Sequence, residues 1–313
     1  MKITHTIQTA ALLLSVFCFP HSAFSQGSLT PPGAPTATMK SLDQVYARLD
    51  SRTAITNAAS TYTITVPGSY YLTTNLTVSS GYGIAIAASG VTLDLNGFTI
   101  SSTLASASYI GILLGTPVSD VTIVNGHIRS GVTNNGSGVY SGSGFAIGIG
   151  YPSIPPTNVM VSMISVSGVL AHGINLGTGN ATVVEACTVT TAGNFGISAS
   201  TIKDSVAVDC FNAIFGDQVA GCRGIGSGNG VIASAAAQNC FGLGGINCFG
   251  VSVGGTAQNC YGTNNSSSTG LSATIAQNCI GSSASGIGLQ ATIANSCLVG
   301  HGTTNVTYKY NMP

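Results

Sequence analysis

A short cassette recurs in the C-terminal half of the chain and limits the folds open to it. Gln-Asn-Cys, followed by a bulky apolar residue and Gly, stands at residues 238–242, 258–262 and 277–281, and a degenerate copy, Asn-Ser-Cys-Leu, stands at 295–298. The four cysteines of these cassettes are 20, 19 and 18 residues apart. A period near 20 is typical of two repeat architectures, the leucine-rich repeat and the β-solenoid.

Short runs of β-branched residues favour the β-solenoid. Four such runs are Tyr62–Val66, Val91–Leu95, Val121–Val124 and Ala181–Val184. Each run is bounded by Gly, Asn, Ser or Pro, which mark turns. The leucine pattern of the alternative is missing, and helix-forming residues are scarce. Weaker copies of the cassette centre on Cys187, Cys210 and Cys222, so the repeat extends into the middle of the chain.

The composition agrees with a stack of coils. Charged residues are 5% of the chain, against roughly 25% in ordinary soluble domains, and there are 42 glycines. Coils stack about 4.8 Å apart, so a charge in one coil would lie over a like charge in the next. Neutral ladders avoid this repulsion, and Asn and Gly accept the left-handed backbone of tight corners. We predict an all-β fold, a right-handed parallel β-helix of roughly ten to twelve coils.

A resemblance to a known family strengthens this prediction. The segments Pro67–Leu72, Ile84–Ile86 and Val91–Ile100 resemble the first coils of bacterial right-handed parallel β-helix repeat proteins, which belong to the pectin-lyase-like superfamily. The resemblance covers roughly residues 60–300, and its most recognisable part is Asp-Leu-Asn-Gly at 94–97. It implies the fold. It implies no single activity, because this fold carries lyases, hydrolases, epimerases, adhesins and inert spacers.

Three segments are predicted along the chain. Residues 1–25 are typical of a secretory signal peptide, with a basic start, an apolar run too short to span a bilayer and small residues at a cleavage site. Residues 26–60 are predicted to form a linker and an N-terminal cap. Within them, apolar residues at helical spacing over 39–50 predict a short helix, which either caps the solenoid or forms an oligomerising stalk. Residues 61–313 are the predicted β-helix domain.

Lys203, Asp204, Asp209 and Arg223 belong to the densest cluster of charge and are the candidate catalytic residues. Aligning the coils on their cysteines predicts that Asp209 takes a slot that asparagine holds elsewhere, and that Arg223 takes an aromatic slot. The other occupants of that aromatic slot are predicted to be Phe211, Phe241, Phe249 and Tyr261. In a structural interpretation, Arg223 stacks on these rings and pairs with Asp209. In a functional one, Arg223 or Lys203 is the base of an acidic-sugar site.

The resemblance implies catalytic patterns that this sequence meets only in part. Pectate-lyase-like chemistry needs several convergent carboxylates to hold Ca²⁺, whereas the acids here are spread over many coils. Polygalacturonase-like chemistry needs an Asp pair and a Gly-His-Gly followed by Arg-x-Lys. Gly-His-Gly is present at 300–302 without the rest, so we interpret it as a chance match. His127 and His172 are isolated, and no cluster has zinc-ligand spacing. We expect no cofactor, except Ca²⁺ in the functional interpretation.

Eight cysteines follow the signal segment, and two interpretations of them stay open. An even number in an exported protein suggests disulfides. The repeat spacing suggests instead one thiol per coil, in a ladder whose parallel Cβ vectors do not favour closure. We expect packed free thiols. The alternation of side chains along a strand does not show whether the thiols point inward or outward. It places Cys260 on the same side of the strand as Gln258, and a corner between the two residues would reverse that assignment.

The leading hypothesis is an exported, non-catalytic surface or matrix scaffold that presents a long face for glycan or protein binding. The alternative is a carbohydrate-active enzyme, a lyase or epimerase acting on acidic polysaccharides. The expected partner is a polysaccharide or cell-surface glycan. Removal of the signal segment lowers the number of Lys and Arg residues from 8 to 7, against 8 Asp and Glu residues. Such a small net charge does not indicate a basic surface for nucleic acid. We expect no membrane span and an extracellular or cell-surface location.

Overall fold

The computed structural model describes residues 40–42, 44, 51–56 and 59–312, and the chain divides into two units, Met1–Ser51 and Arg52–Pro313. In the first unit, the backbone N–H of Ser41 donates to the Gln44 side chain and that of Gln44 donates to the Ser41 hydroxyl, both at 3.1 Å. This is a capping box at the start of a helix. The rest of the predicted cap helix lies outside the described residues, as does the predicted signal segment.

The second unit is an all-β parallel solenoid of about 12 turns, which confirms the predicted β-helix. One sheet of 23 strands is parallel throughout, and a separate two-stranded antiparallel hairpin is formed by β10 and β11. In chain order the strands are β1 (Thr53–Ile55), β2 (Tyr62–Ile64), β3 (Gly68–Leu72), β4 (Leu76–Val78), β5 (Ile84–Ile86), β6 (Val91–Asp94), β7 (Thr99–Ser102), β8 (Ile110–Leu114), β9 (Ser119–Arg129), β10 (Thr133–Asn134), β11 (Tyr140–Ser141), β12 (Ile147–Gly150), β13 (Thr157–Val169), β14 (His172–Gly177), β15 (Val183–Glu185), β16 (Thr188–Lys203), β17 (Val206–Ala220), β18 (Arg223–Gly226), β19 (Val231–Gln238), β20 (Phe241–Gly244), β21 (Val251–Gln258), β22 (Tyr261–Asn264), β23 (Leu271–Gln277), β24 (Ile280–Asn295) and β25 (Leu298–Tyr310).

These strands form three faces, each with one column of inward residues in register from coil to coil. The column of face 1 is Tyr70, Leu93, Ile123, Val161, Val184, Ile202, Val219, Ala237, Ala257, Ala276 and Ala294. The column of face 2 is Leu76, Ile100, Ile128, Val166, Val189, Ala207, Gly224, Gly242, Gly262 and Gly281. The column of face 3 is Ile84, Ile112, Ile149, Ile174, Ile197, Ile214, Val231, Val251, Leu271 and Leu289. The stack already begins at Thr53, whose strand pairs with β3, inside the segment predicted as linker and cap.

A left-handed residue turns the chain from face 1 to face 2 in nine successive coils. These corner residues, all with positive φ, are Asn125, Met163, Ala186, Asp204, Gly221, Asn239, Asn259, Asn278 and Ser296. Asn311 takes the same conformation after the last strand. Asparagine is favoured there because it tolerates this conformation, and the Asn259 side chain also donates to the Asn239 side chain at 3.1 Å. The corner separates Gln258 from Cys260 and points the thiol into the core, where Cys260 is 1% exposed.

Six cysteines directly follow a corner residue, and we call them the corner cysteines: Cys187, Cys222, Cys240, Cys260, Cys279 and Cys297. They form one buried column and are free thiols, as predicted. Each thiol donates to the carbonyl oxygen two residues before it, as Cys240 does to Gln238 at 3.2 Å and Cys260 to Gln258 at 3.3 Å. Ser205 occupies the same column between two cysteine coils, and its hydroxyl makes the same bond to Lys203 at 2.7 Å. The column therefore selects a small side chain that can donate to the corner backbone.

Faces 2 and 3 are in backbone contact in the C-terminal coils. The inward residues of face 2 are glycines there, and a Cβ on Gly242 or Gly262 would overlap the carbonyl oxygen at the start of face 3, on Gly250 or Gly270 respectively. In the same coils the inward residues of face 1 are alanines, whereas the N-terminal coils carry Ile, Leu and Val on all three faces. The core therefore narrows toward the C-terminus, because two backbones replace a layer of side chains.

Substitution of Gly262 by Ala tests this contact. We expect Gly262→Ala to lower the free energy of unfolding by about 3 kcal/mol, because the new methyl meets backbone that cannot turn aside. The measurement is urea unfolding followed by circular dichroism. Gly300→Ala is the matched control, because a Cβ there would meet only the Ser282 side chain at 3.5 Å. Equal stability of the two variants would contradict the narrow core.

Thiol reactivity tests the buried column. Burial raises the pKa of Cys187 to about 11 and those of Cys210 and Cys222 to about 12, and a thiol reacts as its thiolate. Cys248 is the one cysteine among the eight that is only partly buried. We expect an aromatic disulfide reagent at pH 8 to modify Cys248 alone in the native protein and all eight thiols in denaturant. Rapid reaction of several thiols in native Cys248→Ser would refute the burial.

Candidate functional site

The four charged candidate residues lie on different parts of the coil. Lys203 ends a strand of face 1, and Asp204 forms the corner that follows it. Arg223 begins the face 2 strand of the following coil, whereas Asp209 lies toward the far end of a face 2 strand. Lys203, Asp204 and Arg223 therefore lie near one corner in successive coils, and Asp209 is separated from them along face 2. Within the described residues, no ion pair joins any two of the four.

The prediction that Asp209 occupies the asparagine slot is wrong. Asp204 occupies that slot, because the coil between Cys187 and Cys222 uses Ser205 instead of cysteine at its corner. Asp209 lies on face 2, where its carboxylate accepts hydrogen bonds from Asn134 and Thr191, both at 2.7 Å. Since Asn134 belongs to the β10–β11 hairpin, the carboxylate fastens that hairpin to the solenoid.

Arg223 does lie in register with two of the predicted rings. Its Cα partner is Phe241, and the next residue in the column is Tyr261. The guanidinium carbon is 5.6 Å from the centre of the Phe241 ring, which confirms the stacking interpretation. Phe211 and Phe249 lie outside this column, so their predicted place in it is wrong. The predicted pairing of Arg223 with Asp209 is also wrong, since no ion pair joins the two within the described residues.

Two of the histidines considered in the sequence, His172 and His301, make contacts within the solenoid. His172 begins β14 on face 3, where its ring stacks on Phe195 with 5.6 Å between centroids, and Phe195 stacks on Phe215. The Nδ1 atom of His172 is buried without a hydrogen-bond partner among the described residues, and burial lowers its pKa. The Nδ1 atom of His301 lies 3.0 Å from the carbonyl oxygen of Ser283. These contacts favour structural roles for both rings.

The buried ring of His172 predicts a pH effect on stability. The unfolded chain binds a proton at His172 near pH 6.5, whereas the folded chain binds it only at lower pH. The contribution of neutral His172 is therefore complete above pH 6.5 and is lost as the pH falls toward the lowered folded pKa. We expect His172→Phe, which keeps the ring stack, to reduce the loss of thermal stability between pH 7.5 and pH 5. Identical pH profiles for the variant and the parent would contradict this role.

A neutral groove lies where face 3 turns toward face 1 in the last coils. It has a volume of about 370 Å³. We call it the amide groove, and its polar residues are Ser272, Thr274, Gln290, Thr292, Asn305 and Thr307. Gln290 is the Cα partner of both Ser272 and Asn305, so the two amides lie in adjacent coils. Neither amide has a hydrogen-bond partner within the part of the protein that the structure describes. Between these polar residues, Val253, Ala273 and Ala291 are buried and point into the core.

None of the residues of the amide groove is charged, so the groove was not predicted from the sequence. A signal was present in the alternation of two polar and two apolar residues, as in Leu-Ser-Ala-Thr at 271–274 and Leu-Gln-Ala-Thr at 289–292. These segments pair in register, which brings their polar side chains to one surface. Alternation shows that a strand has an outer side, but it does not show that this side is concave.

A second groove lies on face 2 near the N-terminal end of the solenoid. It has a volume of about 410 Å³, and its lining residues are Thr99, His127, Arg129, Ser165 and Ser167. We call it the arginine groove. His127 was interpreted from sequence as an isolated histidine, and Arg129 was not recognised. In the structure both are exposed on β9, two residues apart.

The described residues contain no group of three or more His, Cys, Asp or Glu side chains placed to hold a metal ion. In the same part of the chain, no helix has the length and apolar character needed to cross a bilayer. The chain matches no known protein family, no curated protein and no solved structure. The grooves and the positions of the charged side chains are therefore the basis for a functional proposal.

Proposed function

We propose that the protein is an exported, non-catalytic β-helix scaffold of pectin-lyase-like ancestry that binds a neutral glycan in the amide groove. The observation that carries this proposal is the adjacency of Gln290 and Asn305, whose amides face an open groove and have no hydrogen-bond partner among the described residues. Each carboxamide offers both a donor and an acceptor. Sugar hydroxyls have the same dual character, so they can satisfy both groups at once.

The shape of the groove supports an extended ligand. Its hydroxyl and amide side chains stand in rows that cross three successive coils, with about 4.8 Å between coils. A polymer with hydroxyls on both edges can therefore bond to several coils together. Only polar, uncharged side chains line its open surface, which favours a neutral ligand.

The positions of the charged residues support a non-catalytic role. General acid–base catalysis needs two ionisable groups within hydrogen-bond reach of one reacting centre. Asp209 is engaged by the β10–β11 hairpin, and Arg223 lies over the Phe241 ring. Lys203 ends a face 1 strand and Asp204 forms the corner after it, whereas Arg223 begins a face 2 strand in the following coil. These contacts favour structural roles for the four candidate residues.

Export is supported by the N-terminal sequence and by the cysteines. Residues 1–25 have the three parts of a secretory signal peptide. Six of the eight thiols that follow are buried in a column that aligns them with backbone acceptors, and burial raises the pKa of Cys187 and Cys222. Thiols with this environment are protected from oxidation once the chain has folded. The column is therefore compatible with an oxidising compartment.

Binding of neutral polysaccharides tests the proposed function. We expect the purified protein to bind at least one of dextran, mannan, galactan or soluble cellulose derivatives in affinity electrophoresis, without releasing reducing ends. We expect the double variant Gln290→Ala/Asn305→Ala to lower that affinity about tenfold, since two neutral hydrogen-bonding groups are removed.

Gln277→Ala is the matched control for this experiment. It removes the same kind of amide from face 1, outside the groove, and we expect it to bind as the parent protein does. Failure to bind any neutral polymer, or an equal loss in the control, would refute the amide groove as the site. Release of reducing or unsaturated ends would refute the non-catalytic role.

A further inference from the structure

The arginine groove combines cationic and hydroxyl groups from three successive coils. His127 has Thr99 as its Cα partner on one side and Ser165 on the other. Arg129 has Ser101 on one side and Ser167 on the other. The six side chains therefore form a grid of two columns and three rows on the outer surface of face 2. Ile128 lies between His127 and Arg129, points inward and is fully buried. The strand that carries the two side chains is therefore fixed in the sheet.

The charge of this groove is not balanced by the protein. No carboxylate lines it, and within the described residues no ion pair or side-chain hydrogen bond is made by Arg129 or His127. Two other cations of the solenoid have close neighbours. Arg223 lies over an aromatic ring, and Lys203 is the Cα partner of Glu185. In a chain with 5% charged residues, an unbalanced Arg beside a His is a local concentration of positive charge.

We propose that the arginine groove binds a tetrahedral oxyanion ester, a sulfate or phosphate group carried on a polymer. The Arg129 guanidinium donates charge-assisted hydrogen bonds to such oxygens, and an imidazole N–H of His127 adds a further donor. The hydroxyls of Thr99, Ser165 and Ser167 lie in the rows above and below and add donors from other directions. Donors in three rows match an anion whose oxygens point in three directions. A planar carboxylate offers two oxygens in one plane and meets fewer of them.

The arginine groove is independent of the amide groove. It lies on face 2 near the N-terminal end of the solenoid, whereas the amide groove lies between faces 3 and 1 near the other end. Each groove can therefore bind without the other. Loss of anion binding would leave the neutral-glycan proposal intact, and loss of neutral-glycan binding would leave the anion site intact.

Four polymers and two arginine variants test the anion site. We expect the purified full-length mature protein to bind dextran sulfate or dextran phosphate in isothermal titration calorimetry, and to bind polygalacturonate at least about tenfold more weakly. Unmodified dextran reports on neutral binding alone. We expect Arg129→Gln to lower the affinity for the preferred ester about tenfold, because it removes one charge-assisted contact. Whichever ester polymer binds more tightly identifies the source of the oxyanion.

Arg223→Gln is the matched control, because it removes one positive charge from the same face outside the groove. We expect its affinity to stay within about twofold of the parent value. Arg129 is exposed, so its variant should keep the parent melting temperature, which is measured alongside. Three results would overturn the proposal: no binding of either ester polymer, an equal loss in the two arginine variants, or binding of polygalacturonate as tight as that of the esters.

Discussion

The direct contact between the backbones of faces 2 and 3 is the constraint on which the C-terminal coils depend. At this distance a Cβ cannot be accommodated, so Gly242, Gly262 and their equivalents are required by space. The contact leaves a thin core in which the alanines of face 1 fit better than larger residues. The remaining space beside each alanine is filled by a cysteine from the corner. Glycine, alanine and cysteine are therefore parts of one packing arrangement that repeats in each coil.

The corner adds a backbone requirement to this packing. The chain must take one left-handed step before the thiol, and asparagine satisfies that step in three successive coils, at Asn239, Asn259 and Asn278. The thiol then donates to the carbonyl oxygen two residues before it, which also accepts a hydrogen bond from the backbone N–H of the corner residue in the preceding coil. A carbonyl oxygen has two lone pairs and can accept both bonds. The cysteine is therefore a hydrogen-bond donor as well as a small apolar side chain.

The fold could be predicted from the sequence because each coil repeats the same backbone geometry. The two grooves could not be predicted in this way. The cassette marks the corner in every coil where Asn and Cys are kept. The alignment failed where Ser205 replaces cysteine, and it moved to Cys210, five residues away. That shift displaced Asp209 into the wrong slot and suggested its pairing with Arg223. The error has a physical cause. The Ser205 hydroxyl and a corner thiol make the same hydrogen bond to the backbone, but only cysteine fits the repeat pattern in the sequence.

The candidate sites depend on neighbours that are distant and irregular along the chain. Thr99, His127 and Ser165 are adjacent across the sheet, yet 28 and 38 residues separate them in sequence because loops of different length intervene. No fixed period connects them, so repeat analysis does not bring them together. The polar residues of the amide groove are regularly spaced in the sequence, but none of them is charged, so the sequence does not mark them as a site. Both sites needed the register of the strands, which only the structure supplies.

The uniform coils also bear on how such a chain can change its length over generations. The segment from Cys260 to Asn278 begins and ends at the same point of successive coils. A tandem copy of its coding sequence would add one complete layer, with every ladder above and below still in register. Loss of one copy would remove a layer in the same way. Slippage during replication can therefore lengthen or shorten the C-terminal half by whole layers. The length of the solenoid can then change while each coil keeps the same packing.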